Sequence, residues 1–194
     1  IEKNLESYQI PSAVSAIHPF LDDLSTWYIR RSRDRVGLSA TNKADKEYFY
    51  TTSYYLFLNF FKVIAPITPF ISEKLYRHLT DDESIHLTDW PSANQREGND
   101  GLLDQMKLVR EICSLGHAQR KEKDIPVRQP LSNVTITKAD QLKNQEELLQ
   151  LIKEELNIED IIFQSGDILT VTLNINITPE LKARGDARKI IRDI

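Results

Sequence analysis

The sequence has a single cysteine, Cys113, in 194 residues, which excludes an internal disulfide framework and a zinc site built from clustered thiolates. Its four histidines, His18, His78, His86 and His117, are scattered with no His-Glu-x-x-His spacing, so no metal is expected. The six glycines are dispersed too, and none builds a phosphate-cradling loop between a strand and a helix. The longest apolar run, about 54–71, is broken by Asn59, Lys62, Pro66 and Pro69, which argues against a membrane-spanning helix of about 20 residues. Positive charge is not in excess. Twenty-five Lys plus Arg against 29 Asp plus Glu leave a net charge of −4, so the general cationic field of a histone-like nucleic-acid binder is absent and any such contact has to be local.

Forty percent of the residues are apolar, enough for a substantial core, and the length suits one large domain or two small ones. Over 12–35, Ala13, Ile17, Phe20, Leu21, Leu24, Trp27 and Tyr28 recur at helical spacing, with Pro19 predicting a kink or two helices in tandem and Gly37 a stop. The run 45–64 has so few polar positions that a helix deep in a bundle is expected, its aromatic residues serving as core. Pro66 ends that run, and Thr68 followed by Pro69 predicts a capped short helix through Leu79. Residues 80–101, with Asp81, Asp82, Glu83, Pro91, Ser92, Asn94, Gly98, Asn99 and Gly101, read as a connection. A fourth helix is expected from Leu102 towards Lys121.

After Pro130 the periodicity changes. A short strand at 133–137, an amphipathic helix at 145–156, an apolar strand at 158–163, an alternating strand at 168–177 and a helix opened by Pro179 predict a small β-α-β-β-α unit. The expected architecture is mainly α: an antiparallel helical bundle over 1–124, with 80–101 a linker inside it, and a small α+β domain over 125–194 truncated at its end. The sequence starts without methionine in a helix-like segment and stops inside another periodic run, so it reads as an excised piece of something longer.

Catalytic signals are weak. Cys113 and His117 are an i, i+4 pair, but Cys113 lies on an apolar stripe, where a buried thiol acts as a small hydrophobe. Asp22 and Asp23 are adjacent on a helix and diverge by about 100°, so they cannot share a substrate as a carboxylate pair. Charge is more informative. Between Trp27 and Lys46, six cations (Arg30, Arg31, Arg33, Arg35, Lys43, Lys46) face Asp34 and Asp45, a local net of +4. Arginine forks engage phosphates and base edges, and Trp27 and Tyr28 beside them offer faces that could stack on RNA. The charge alone equally fits arginines that complement a helix dipole, with Asp34 paired to Arg30 and Arg31. Arg120, Lys121 and Arg128 belong to a second basic group whose local net is only +2, while 140–160 has seven acids and two lysines and would repel a phosphate backbone.

Asp22-Asp23-Leu24-Ser25-Thr26-Trp27-Tyr28-Ile29-Arg30-Arg31-Ser32-Arg33-Asp34-Arg35 closely resembles the helix motif of the anticodon-binding domain of isoleucyl-tRNA synthetases, and so do residues 64–76 (Ile-Ala-Pro-Ile-Thr-Pro-Phe-Ile-Ser-Glu-Lys-Leu-Tyr) and 84–91 (Ser-Ile-His-Leu-Thr-Asp-Trp-Pro). Arg128-Gln129-Pro130-Leu131 and Thr178-Pro179-Glu180-Leu181-Lys182 are similar to that family's C-terminal extension. Two departures stand out: Val36-Gly37 follows Arg35 where the family often has bulky aromatics, and the cysteine-rich zinc end is absent. The resemblance implies a bundle of the class I anticodon-binding type in a parent isoleucine-tRNA ligase that uses ATP with magnesium. It implies isoleucine tRNA as partner, together with a catalytic domain on the same polypeptide, in a monomeric cytoplasmic enzyme away from membranes. Neither His-Ile-Gly-His nor Lys-Met-Ser-Lys-Ser occurs, so this segment is expected to be inactive by itself and to need no cofactor. The expected tRNA contacts are Trp27, Arg30, Arg31, Arg33, Arg35, Arg120, Lys121 and Arg128. The alternative is a helical protein-interaction module without RNA binding.

Overall fold

The structure, a computed structural model, describes residues 1–38, 40–92 and 100–193. It is mostly helical with one small mixed sheet, and its packing divides the chain into two compact units, Ile1–Asn94 and Gln95–Ile194.

The first unit contains α1 (Glu2–Glu6), α2 (Ile10–Ser15), α3 (Ile17–Asp23), a π-helical stretch (Leu24–Ile29), α4 (Arg30–Val36), α5 (Lys43–Ile64), α6 (Pro69–Leu79) and a 3-10 turn (Ile85–Leu87). The expected break near Pro19 falls at Ala16 instead. Pro19 lies in the first turn of α3, where a backbone donor would have no partner within the helix. Gly37 caps α4, as its position suggested. Asn42 opens α5, its side-chain oxygen accepting from the Asp45 amide at 3.1 Å. Thr68 and Pro69 start α6 where expected, yet the Thr68 hydroxyl turns back to donate to the Ile64 carbonyl at 3.2 Å rather than capping the helix.

The core of this unit forms where α6 folds back along α5. Phe61, Ala65, Tyr76 and Ile85 are buried there, with Phe57, Leu58, Phe60 and Ile64 packed around them. The expectation that all of α5 lies deep does not hold: Tyr48, Tyr50, Tyr54 and Tyr55 are exposed. Tyr48 and Tyr55 are seven residues apart, on a stripe opposite that of Phe57, Phe61 and Ile64, so one helical turn pattern carries both a core face and a bare aromatic face.

The second unit contains α7 (Asp100–Glu122), β1 (Leu131–Thr137), a 3-10 turn (Asp140–Leu142), α8 (Glu146–Leu156), β2 (Ile158–Gln164), β3 (Val171–Leu173) and α9 (Pro179–Asp193). The sheet order is β2-β1-β3, with β1 parallel to β2 and antiparallel to β3. Central β1 buries Leu131, Val134 and Ile136 completely, and the parallel pair needs the crossover that α8 supplies, its Leu148, Ile152 and Leu156 turned inward.

Helix α7 was expected as the fourth bundle helix, with the boundary near 124–132. Instead it packs on α8 and β3, and the division between compact units falls ahead of it. Two residues explain the attachment. Gly116 admits Leu156 so closely that an added Cβ would meet its Cδ2 at 2.6 Å. Gln119 acts as a strand partner for β3: its side-chain oxygen accepts from the Leu173 amide at 3.0 Å and its amide donates to the Val171 carbonyl. The change of periodicity after Pro130 therefore marks a change of secondary structure, not the break in packing. The strand expected over 168–177 shortens to three residues. The Thr137 amide still donates to the Thr170 carbonyl at 3.1 Å, but the Thr137 hydroxyl accepts from the Thr170 amide at 2.9 Å and donates to the Ile168 carbonyl at 2.6 Å, taking bonds the ladder would use, and the Asn174 side chain accepts from the Asn176 amide after Leu173. Of the connection expected at 80–101, residues 93–99, with Asn94, Gly98 and Asn99, lie outside the described residues.

Candidate nucleic-acid interface

The motif with four arginines is built on the junction of the π-helical stretch and α4. The wider turn carries the Arg30 amide to the Ser25 carbonyl, five residues back, and the Thr26 carbonyl accepts the Arg30 Nε at 2.6 Å. Beyond the junction ordinary helical spacing returns, and it splits the arginines into two stripes, Arg30 with Arg33 and Arg31 with Arg35. Arg30 and Arg33 are exposed and Arg31 is half-buried. Among the described residues the Arg33 side chain makes no hydrogen bond or ion pair, its carbonyl accepting the Gly37 amide that caps α4.

Arg35 is a correction to the single cationic ridge expected from the sequence. Its guanidinium clasps Asp45 at the start of α5 through Nε–Oδ2 and Nη2–Oδ1 contacts of 2.9 and 2.5 Å. That hydrogen bonding holds the Asp45 carboxyl below the usual carboxylate range and raises the pKa of Arg35. Trp27 is half-buried within the π-helical stretch, whereas Tyr28 stacks on Phe49 with ring centres 5.5 Å apart and that face is taken.

The second basic group divides more sharply. Arg120, expected to meet RNA, is 1% exposed. Its Nη1 donates to the Pro126 and Gln129 carbonyls at 3.1 and 3.0 Å, and its Nη2 to those of Leu156 and Asn157 at 2.6 and 3.3 Å. Burial lowers its pKa to about 10, which leaves it charged at neutral pH. A guanidinium enclosed by four carbonyls serves the fold: it ties the end of α8 to the loop 123–130. Lys121 and Arg128 remain exposed, and Arg128 projects from the loop that Arg120 secures. Arg120 is therefore a positioning residue for this patch and not a contact.

Cys113 is buried on α7, and His117 is drawn across to Glu155 on α8 at 3.4 Å. Among the described residues no three of His, Cys, Asp or Glu converge as a metal would require, and no helix is long and apolar enough to cross a membrane.

Sequence reasoning passed over one basic group. Phe70, Lys74, Arg77 and His78 on α6 and His86 on the 3-10 turn line a cleft of about 610 Å³ with Pro69 and Glu73. Charge counting hid it, because residues 69–86 hold two basic residues against four acids. The i, i+4, i+7, i+8 spacing of residues 70, 74, 77 and 78 is the signal that would have found it.

The fold and its arginine-bearing junction define a class of protein that comparison with known proteins identifies. Residues 1–136 match the model of the anticodon-binding domain of tRNA ligases, and the chain belongs to that family. Within it, the chain is similar to isoleucine-tRNA ligases: 41% identical over 167 residues to that of Chlamydia trachomatis serovar L2b and 39% over 167 residues to that of Chlamydia abortus, each time 84% of this chain and 16% of the relative. The Protochlamydia amoebophila ligase is 37% identical over 175 residues, 86% of this chain. The chain thus spans about a sixth of the length of the curated relatives it matches.

Proposed function

We propose that this chain is the C-terminal anticodon-binding part of an isoleucine-tRNA ligase and grips the anticodon stem-loop of isoleucine tRNA. Its contacts are Arg30, Arg31 and Arg33 on the junction of the π-helical stretch and α4, with Trp27 supporting that segment and Lys121 and Arg128 as a second patch. Arg35, clasped by Asp45, is not among the contacts. The helices of the first unit belong to an antiparallel bundle of the class I synthetase type, and residues 125–194 form the small α+β domain. Isoleucine activation, with ATP and magnesium, takes place in a catalytic domain on the same polypeptide, a monomer in the cytoplasm. This segment alone does not aminoacylate. Binding collected at the anticodon end positions the acceptor end for that reaction.

One observation carries the reading: in a chain of net charge −4, a family-matched helix presents exposed Arg30 and Arg33 on one stripe. Phosphate contacts of this kind make binding salt-dependent. The test is a filter-binding titration of isoleucine tRNA against salt with the wild-type chain and the Arg30→Ala/Arg33→Ala variant. We expect about a tenfold loss of affinity and a salt slope shallower by about one to two, with folding unchanged by circular dichroism. An unaltered affinity and slope would refute the assignment of these two arginines.

A further inference from the structure

We infer that the cleft between α6 and the 3-10 turn at Ile85–Leu87 is a second RNA subsite, in which Lys74 and Arg77 hold the phosphate of a nucleotide whose unpaired base lies on Phe70. The inference rests on the tRNA-binding reading above and adds a site that the arginine motif does not include.

Three observations converge on it. Phe70 is 90% exposed at the mouth of the cleft, the barest of the apolar side chains on a helix that buries Tyr76 almost completely and leaves Ile71, Leu75 and Leu79 partly covered. A Phe left in water at a lip ringed by cations is the arrangement on which single-stranded bases stack. Second, Phe70, Lys74, Arg77 and His78 share one helical stripe, and His86 closes the opposite wall. Arg77 and His78 lie in the last turn of α6, where the helix dipole alone would welcome them, but the dipole explains neither Lys74 a turn earlier nor the bare ring.

Third, two of the four acids in this segment, 69–86, are turned to other work. Glu73, which also lines the cleft, accepts from the Ser84 hydroxyl at 3.1 Å and the Ile85 amide at 2.9 Å, so its carboxylate fastens the turn bearing His86 to α6. The Asp82 carboxylate receives the Tyr76 hydroxyl on the core side of the same helix. The His78 Nδ1 lies 2.6 Å from the Lys74 carbonyl, which sets the ring along the stripe. A wall of two permanent cations, two imidazoles and one engaged carboxylate, with an apolar ring at the rim, matches a phosphate joined to a planar base.

The α4 arginines and this cleft meet different parts of α5. Arg35 binds Asp45 at the N-terminal end, whereas α6 covers Phe61 and Ala65 at the other. Along a 22-residue helix the separation is on the order of 15–30 Å, well beyond the distance within which substitutions couple. Losses at the two places should therefore multiply.

The test is a fluorescence-anisotropy titration of the 194-residue chain with labelled isoleucine tRNA at several salt concentrations. We expect Lys74→Ala/Arg77→Ala to weaken binding about tenfold and flatten the salt slope by about one to two. Phe70→Ala should weaken binding about fivefold with the slope unchanged, since it removes stacking without charge. Combined with Arg30→Ala/Arg33→Ala, the factors should multiply. If the wild-type chain binds tRNA and loses affinity in the α4 variant but not in the α6 variants, the cleft is no RNA subsite and its charges serve the helix dipole or an acidic protein surface. If the wild-type chain does not bind tRNA at all, the anticodon-binding reading falls and this inference falls with it. Phe70 and Lys74 are exposed, so unchanged circular dichroism spectra should accompany either result.

Discussion

The two compact units use arginine in opposite ways. In the second, Arg120 is enclosed and satisfies four backbone carbonyls at a helix end. In the first, Arg30 and Arg33 are exposed, and Arg35 is locked to a carboxylate, itself at the surface. The apolar residues repeat the contrast. Leu131, Val134, Ile136, Leu142, Ile152 and Leu156 have no exposed surface, whereas α5 alone leaves four tyrosines in water. A unit that turns its polar groups inward gains definition. One that leaves guanidinium groups and rings outside keeps surface for a partner.

The sharpest way to break this contrast is Arg120→Leu. It strands up to four carbonyls, and with an unsatisfied buried polar group costing about 1–3 kcal/mol, a loss of about 3–5 kcal/mol is expected in urea unfolding followed by circular dichroism. A loss under about 1 kcal/mol would show that Arg120 is not the tie between α8 and the 123–130 loop. Gly116→Ala comes next. The new methyl would overlap Leu156, and overpacking of that kind costs about 1–3 kcal/mol in the same measurement. Tyr55→Ala, on the bare face of α5, should change stability by no more than about 0.5 kcal/mol. A cost comparable to that of Gly116→Ala would mean that this face is packed.

The smallest effect is expected at the Arg35–Asp45 pair. The folded pKa of Asp45 lies below its ordinary value of 3.8, so the stability it adds is complete above that pH and is lost as the pH falls through the lowered value. Thermal melts of wild type and Asp45→Asn should differ slightly at pH 7 and converge in strong acid. Releasing Arg35 and removing a negative charge should also tighten tRNA binding about twofold, measured by filter binding. Weaker binding instead would show that the clasp orients α4 for RNA.

Local sequence signals served well wherever local chemistry decides. Gly37, the Thr68-Pro69 pair and Pro179 each mark a helix end that the structure contains. They failed wherever a distant side chain intervenes. The strand over 168–177 alternates along its whole length, but a hydroxyl from β1 takes up the Ile168 carbonyl and the Thr170 amide. Arg120 and Arg128 look alike in a charge count. Only the proximity of the α8 end to the 123–130 loop separates a buried clamp from an exposed cation. The π-helical stretch left no trace at all, because Leu24–Ile29 has the composition of an ordinary helix and a change of hydrogen-bond register alters no residue type.

The sequence by itself determined the helices, their stops and the concentration of arginine after Trp27, since propensity, capping and charge are properties of neighbours along the chain. Tertiary structure decided which cations stay in solvent, which unit α7 joins, and that α6 carries a basic cleft where the count of charges is negative. Burial and pairing depend on groups brought together from 10 to more than 50 residues away, as Asp45 is to Arg35 and Leu173 to Gln119.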